Sequence, residues 1–232
     1  MLEINKYNSS KKKEWNDFLN LSKNGTFLLD RNFLEYHSDR FIDFSLMFYN
    51  NKILVALLPL NIDKSNVISH GGLTYGGLIV SRNVSSVLVL EIFDKLLLFL
   101  KHNKLKKFTY KSIPHIYHKI PSEEESYSLF INNFNLIKRD ISSSINMRKS
   151  KIKGKKMTGY RKGIKLGLKI IETSDCSSIV DIINVNLNKK YNTDAVHTSS
   201  ELNSLKNNFK NEIKFLNLDI DSKIEGGAIL FL

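Results

Sequence analysis

One order of pattern signals occurs twice along this chain, and that recurrence limits the available folds more tightly than composition does. Near the start, Trp15, Phe18, Leu19 and Leu21 predict a helix, and Asp30 caps a short second one through Phe33, Leu34 and Tyr36. FSLMFY and ILVALLPL then predict a hairpin, because the intervening Asn50-Asn51-Lys52 tolerates the positive φ of a tight turn. Further on, LKIIE reads as a strand. Asp175 caps a helix through Ile179, Ile182, Ile183 and Leu187, and Ser199 or Ser200 caps another through Leu202, Leu205 and Phe209. IKFLNLDI and EGGAILFL then pair across Asp221-Ser222-Lys223. Helix, helix, hairpin has returned, which predicts two tandem copies of one mixed α/β unit, residues 1–145 and 146–232.

The first copy carries more than the second. A third strand is expected near Leu78 to Val80, then a long helix capped by Ser85 or Ser86 and ending around the KHNK of residues 101 to 104. KKFTYK reads as a strand, Ser122-Glu123-Glu124-Glu125 as a capping box opening a helix through Tyr127, Leu129 and Phe130, and NLIKRDISSSI as a final strand. Two helices precede any clear sheet. The second copy stops at AILFL, an apolar strand edge, so the expectation is a fragment or a prematurely ended product with an incomplete second unit.

At 232 residues and 42% hydrophobic content the chain has material for a sizeable core. Its single cysteine, Cys176, excludes a disulfide framework or a cysteine-rich zinc site and fits a reducing, cytoplasmic setting. MLEINKYNSSKKKEW has cations without a following apolar stretch, so no signal peptide is expected there. VLVLEIFDKLLLFLK is interrupted by Glu91, Asp94 and Lys95, which predicts an amphipathic helix and no transmembrane segment. The net charge of +12 says little by itself in a chain rich in Lys, Asn, Ile and Ser, a bias that AT-rich coding produces. Residues 148 to 169, however, hold ten Lys or Arg and no acid.

The element order resembles the GNAT acyltransferase superfamily, and two such units joined by a basic helix resemble its FemAB-like branch. The local residues that carry the resemblance are Asp39-Arg40-Phe41-x-Asp43, HGGLTYGG, Tyr110-Lys111-x-Ile113-Pro114 running into Ile116-Tyr117-His118, Pro121-x-Glu123-Glu124, Arg139-Asp140 and Val196-His197-Thr198-x-x-Glu201. They are similar to a GNAT-like subgroup found in bacterial surface-polysaccharide gene clusters. The resemblance implies acyl transfer from a thioester, acetyl-CoA or another acyl-CoA, to an amine on an amino sugar or sugar nucleotide. FemAB members proper use aminoacyl-tRNA to extend peptidoglycan peptides, and that is the alternative. In the superfamily the donor's pyrophosphate sits at the turn from the fourth strand into the long helix. In the second copy that turn would lie beyond Leu232, so the donor site is not expected within these residues.

The resemblance implies substrate-binding roles for Tyr75, Lys111, Tyr117, His118, Arg139, Thr198 and Glu201, with His197 and His118 as candidate bases. Each has a plainer reading. The loop at Tyr117 and His118 can simply pack. His197 precedes a helix that Thr and Ser hydroxyls can cap, and Lys111 and Arg139 can be solvated cations. His115 and His118 stand three apart, but on a loop that spacing fixes no geometry, and no metal is expected. Gly154-Lys155-Lys156-Met157-Thr158-Gly159 begins a P-loop spacing that fails at Tyr160-Arg161. Lys155, Lys156, Arg161 and Lys162 are therefore read either as an anion contact (nucleotide sugar, CoA or RNA) or as a solvated face. A non-catalytic basic module binding RNA or an acidic partner is the competing class. In HGGLTYGG the glycines precede a strand and not a helix, and the turn into the long helix has none, so a dinucleotide loop is excluded and a bend with close backbone approach is expected. His70 and Tyr75 are the polar groups that bend would offer. Cys176 reads as a small buried residue in a first helical turn, without nucleophilic character.

Overall fold

The structure, a computed structural model, describes residues 1–36, 38–146 and 154–232. It divides into two compact units, Met1–Ile137 and Lys138–Leu232. The part of the basic stretch at residues 148–153 lies outside the described residues.

The first unit opens on a strand that the sequence reading did not anticipate, β1 (Leu2–Lys6). Its short apolar–polar alternation puts Leu2 and Ile4 on one side, where they join the core. A 3-10 turn leads into α1 (Lys12–Leu21), and Asp30, accepting from Asn32 N–H, caps α2 (Arg31–Leu34) as expected. β2 (Ile42–Asp43) precedes the hairpin of β3 (Leu46–Asn50) and β4 (Ile53–Leu58), whose turn holds Asn51 and Lys52 at φ of 49° and 67°. Two further short strands, β5 (Asn61–Asp63) and β6 (Asn66–Ile68), lead to β7 (Ile79–Val80), α3 (Ser86–His102), β8 (Lys107–Thr109) and α4 (Glu124–Ile131).

β1-β3-β4-β7 form an antiparallel sheet, and β2-β5-β6-β8 a second, in which only β6 and β8 run parallel. The first sheet is buried on both faces. Leu46, Phe48, Ala56 and Leu58 meet Val89, Ile92, Phe93 and Leu96 of α3. Met47, Tyr49, Leu57 and Ile79 meet Trp15, Leu19 and Leu29. This is why LMFY and VALL lack polar alternation: a strand covered on both sides must be apolar throughout. The spacing of Val89, Ile92, Phe93, Leu96 and Leu100 gives α3 one continuous core stripe, and Ser85 accepts from Leu88 N–H to cap it.

Two expectations fail. Ser122-Glu123-Glu124-Glu125 is no capping box: α4 starts after Glu123 without a side-chain cap, because Glu124 pairs with Lys23 and Glu125 turns inward to Tyr110. Residues 135–145 form no strand, and most of their side chains are exposed. An apolar, β-prone stretch needs a partner edge to become a strand, and none is supplied there.

In the second unit, α5 (Lys155–Lys165) is followed by β9 (Lys169–Thr173), α6 (Ser177–Tyr191), α7 (Ser199–Asn208), β10 (Ile213–Ile220) and β11 (Lys223–Phe231). The antiparallel order β11-β10-β9 repeats that of β4-β3-β1, with two helices again between the first and second strands. Ile179, Val180, Leu202, Leu205, Phe209, Ile213 and Phe215 form the buried side. Gly227 is there by necessity: a Cβ would stand 2.6 Å from Ile179 Cγ1 and 2.9 Å from Leu216 O, so any larger residue would push α6 off the sheet. The cap of α7 is Thr198, one residue earlier than expected, in a complete capping box with Glu201. Cys176, not Asp175, is the N-cap of α6; Asp175 instead accepts from Ser177 and Asn203 side chains.

Candidate functional site

A cluster of polar and titratable groups in the first unit surrounds HGGLTYGG, the loop from β6 to β7. Lys111, just after β8, sends its ammonium to three carbonyls of this loop: His70 O at 2.9 Å, Gly71 O at 3.3 Å and Leu73 O at 2.5 Å. Its own backbone accepts from Gly76 N–H, and its N–H donates to Ser69 Oγ. Burial holds the Lys111 amine below the usual lysine range. Three carbonyl dipoles converging on one cation make Lys111 the organiser of the loop. Gly76 permits the close approach, since a Cβ there would lie 2.1 Å from Ser69 O.

The far end of the loop is tied down by a chain of hydrogen bonds. Leu78 N–H donates to the Tyr110 hydroxyl at 2.6 Å, and that hydroxyl donates to Glu125 Oε2 at 2.5 Å. Asn24 bridges the strand beside it, donating to Leu78 O and accepting from Val80 N–H. Glu125 is buried on the inner face of α4, and loss of water raises its carboxyl to about 7. Tyr110 is raised well above its usual value by the same burial, with the Glu125 charge adding to it. Beside them, Lys23 and Glu124 form a pair at 2.6 Å, with Ser122 donating to Glu124.

Tyr75 points inward and shares a hydrogen bond with Thr26 at 2.9 Å. Its ring lies 5.4 Å from that of Tyr117, tilted by 32°, and Tyr117 is half exposed. His118 follows the 3-10 turn His115–Tyr117, and its Nε2 faces Ile113 O at 3.2 Å. A carbonyl only accepts, so Nε2 carries the proton and Nδ1 keeps its lone pair. That Nδ1 is buried without a hydrogen-bond partner, and burial lowers the imidazole pKa, leaving the ring neutral at pH 7. The first unit thus brings Tyr75, Lys111, Tyr117 and His118 to one loop cluster.

His70, also offered by the bend, is buried in the first unit, and the other residues singled out in the sequence fall in the second. Thr198 Oγ1 accepts from Glu201 N–H at 3.2 Å, and Glu201 Oε2 accepts from Thr198 N–H at 2.9 Å. His197 is half-buried immediately before them. Arg139 is exposed outside any regular element, while Lys155, Lys156, Arg161 and Lys162 are exposed on α5. Cys176 is buried, with its thiol pushed up to about 11 by loss of water, and it donates to Ser199 O. Among the described residues, no group of three or more His, Cys, Asp or Glu is placed to hold a metal, and no helix is long and apolar enough to cross a membrane.

Two other features of the first unit are polar. Buried Arg31 stacks 3.6 Å over the Tyr7 ring and bonds Glu35 at 3.1 Å, Ser45 at 3.2 Å and Asp43. It borders a cavity of about 50 Å³, room for a water molecule or two. An open trough of about 590 Å³ runs along α1 past Lys11, Glu14 and Leu54, lined by exposed ion pairs. Sequence reasoning gave no site role to Asn24, Lys23 or Glu125, nor to Tyr110, which stands in a motif quoted for the resemblance. The only signal at Glu125 was the acidic run, which reads more simply as a helix start.

Comparison with known proteins places this geometry in a fold class. No known family matches the sequence, and no curated protein does. Among solved structures, the chain is similar to FemX, with a TM-score of 0.59 and 10% identity over 94% of this chain and 58% of that one. It therefore spans less than two thirds of FemX. The aminoglycoside 6'-N-acetyltransferases AAC(6')-Ih from Acinetobacter baumannii and AAC(6')-Iy align at TM-scores of 0.39 and 0.42, each over 63% of this chain at 11% identity. The chain shares its fold with FemX, mixed α/β with mostly antiparallel sheets flanked by helices, as the element order predicted.

Proposed function

We propose that this chain is, or belongs to, a GNAT-type acyltransferase that moves an acyl group from a thioester to an amine. The supporting observation is the repeated strand, helix, helix, hairpin arrangement, seen complete in β1-α1-α2-β3-β4 and again in β9-α6-α7-β10-β11. In this chemistry the acceptor ammonium loses a proton and the amine attacks the thioester carbonyl. Backbone N–H groups stabilise the oxyanion, and the thiolate departs. The acceptor in this reading is an amino sugar or sugar nucleotide of surface-polysaccharide synthesis. The donor is acetyl-CoA or another acyl-CoA. His197 is the favoured base, because His118 has one nitrogen on Ile113 O and the other buried. The likeness to FemX favours a second reading, transfer from aminoacyl-tRNA.

The test is to incubate the chain with acetyl-CoA and a panel of amino sugars and sugar nucleotides, reading free thiol and product mass, with an aminoacyl-tRNA arm in parallel. Acetylated product supports the first reading, and aminoacylated product the second. Binding of nucleic acid that falls steeply with salt, without turnover in either arm, would replace both with a basic binding module. If His197 is the base, His197→Ala lowers kcat by about 10²-fold or more. His118→Ala would not match it.

A further inference from the structure

Among the described residues little covers the helix α5, with only Met157 and Gly163 partly shielded. None of its residues is buried, and Lys155, Lys156, Arg161, Lys162 and Lys165 form no ion pair with a described residue. Eleven residues with Gly159 and Gly163 inside are a poor helix alone, since isolated helices below about 12 to 15 residues are marginal and each interior glycine weakens them further. Such a helix persists when a surface receives one of its faces.

Its two faces say what that surface is. At 100° per residue, Met157, Tyr160 and Ile164 fall on one stripe, with Lys156 flanking it on one side and Arg161 and Lys165 on the other. Tyr160 is 52% and Ile164 49% exposed, and just beyond the helix Leu166 and Ile170 are 66% and 57% exposed. No acid occurs between Asp140 and Glu172. An apolar stripe bordered by cations, with a tyrosine at the boundary, suits a layered partner whose outer part is anionic and whose interior is hydrocarbon.

We propose that α5 is an interfacial helix that docks this chain on an anionic lipid surface. The stripe of Met157, Tyr160 and Ile164 enters the acyl boundary, while the flanking Lys156, Arg161 and Lys165 meet the headgroup phosphates. A nucleic acid would match the charge but not the aliphatic stripe: backbone-tracking surfaces pair cations with stacking aromatics, and α5 offers only Tyr160. Docking of this kind needs no transmembrane span and is independent of the reaction assigned above.

The full chain is sedimented with vesicles of phosphatidylcholine alone and of phosphatidylcholine mixed with phosphatidylglycerol. Binding is expected only to the anionic vesicles and falls as salt rises. Replacing Lys156, Arg161 and Lys165 together by Glu weakens it by about 100-fold or more. Lys156→Arg with Lys165→Arg retains it, and Tyr160→Ser with Ile164→Ser weakens it by about tenfold or more. Because α5 has no buried residue, the thermal transitions of these variants should match that of the parent chain. Absence of binding to anionic vesicles overturns the proposal. Binding that ignores the Tyr160 and Ile164 changes, or RNA binding tighter than vesicle binding and equally indifferent to them, also overturns it.

Discussion

Glu125 shows how one residue ties the loop cluster to the solvent. Its carboxyl is buried, accepts from Tyr110 and sits near pH 7 because water is excluded. A folded-state value above the unfolded 4.5 means that the folded chain holds this proton more tightly. The resulting stabilisation is fully present below about pH 4.5 and is lost as pH rises through about 7, roughly 3 kcal/mol in total. Urea unfolding at pH 5 and pH 8 should show the loss, and Glu125→Gln should remove it. An unchanged pH dependence in the Gln variant would assign the effect elsewhere. Cys176 allows a second residue-scale test: buried and raised to about 11, its thiol should react with a disulfide reagent only when the second unit unfolds. Prompt labelling of the native chain would contradict that burial.

At the scale of elements, legibility followed how local the cause is. Asp30, Ser85 and the Asn51-Lys52 turn behave as the sequence predicted, because each satisfies a backbone group within a few residues of itself. The strands β2, β5 and β6 were not foreseen: two or three residues carry no period, and they exist because neighbouring edges accept their hydrogen bonds. The acidic run at α4 was misread for a related reason, since its partners Lys23 and Tyr110 lie far away in sequence. α5 offers a direct test of local propensity. A Cβ at Gly159 meets nothing within 4 Å, so Gly159→Ala should favour the helix by about 1 kcal/mol. The readout is greater helical circular dichroism; no gain would mean that something covers that face.

For the whole molecule, the division falls at Ile137 and Lys138, followed by residues up to 146 that lack regular structure. Exposed backbone without a hydrogen-bonded ladder is what proteases accept. Trypsin should therefore cut first at Lys138 or Arg139, leaving a resistant fragment of residues 1 to 138 or 139, identified by mass. First cuts inside residues 1 to 137 would contradict the division.

The sequence by itself determined the repeated helix, helix, hairpin order, the two-sided apolar strands and the basic stretch, because periodicity, capping and turn chemistry act over a few residues. It also showed that HGGLTYGG must be a bend. Only the tertiary structure decided what that bend is for: Lys111, Tyr110, Asn24 and Glu125, from three separate segments, converge on it. Burial then changes their chemistry, raising Glu125 to about 7 and holding the Lys111 amine down. A shift of that kind comes from excluding water, and which residues exclude it is a property of packing that no single stretch of sequence contains.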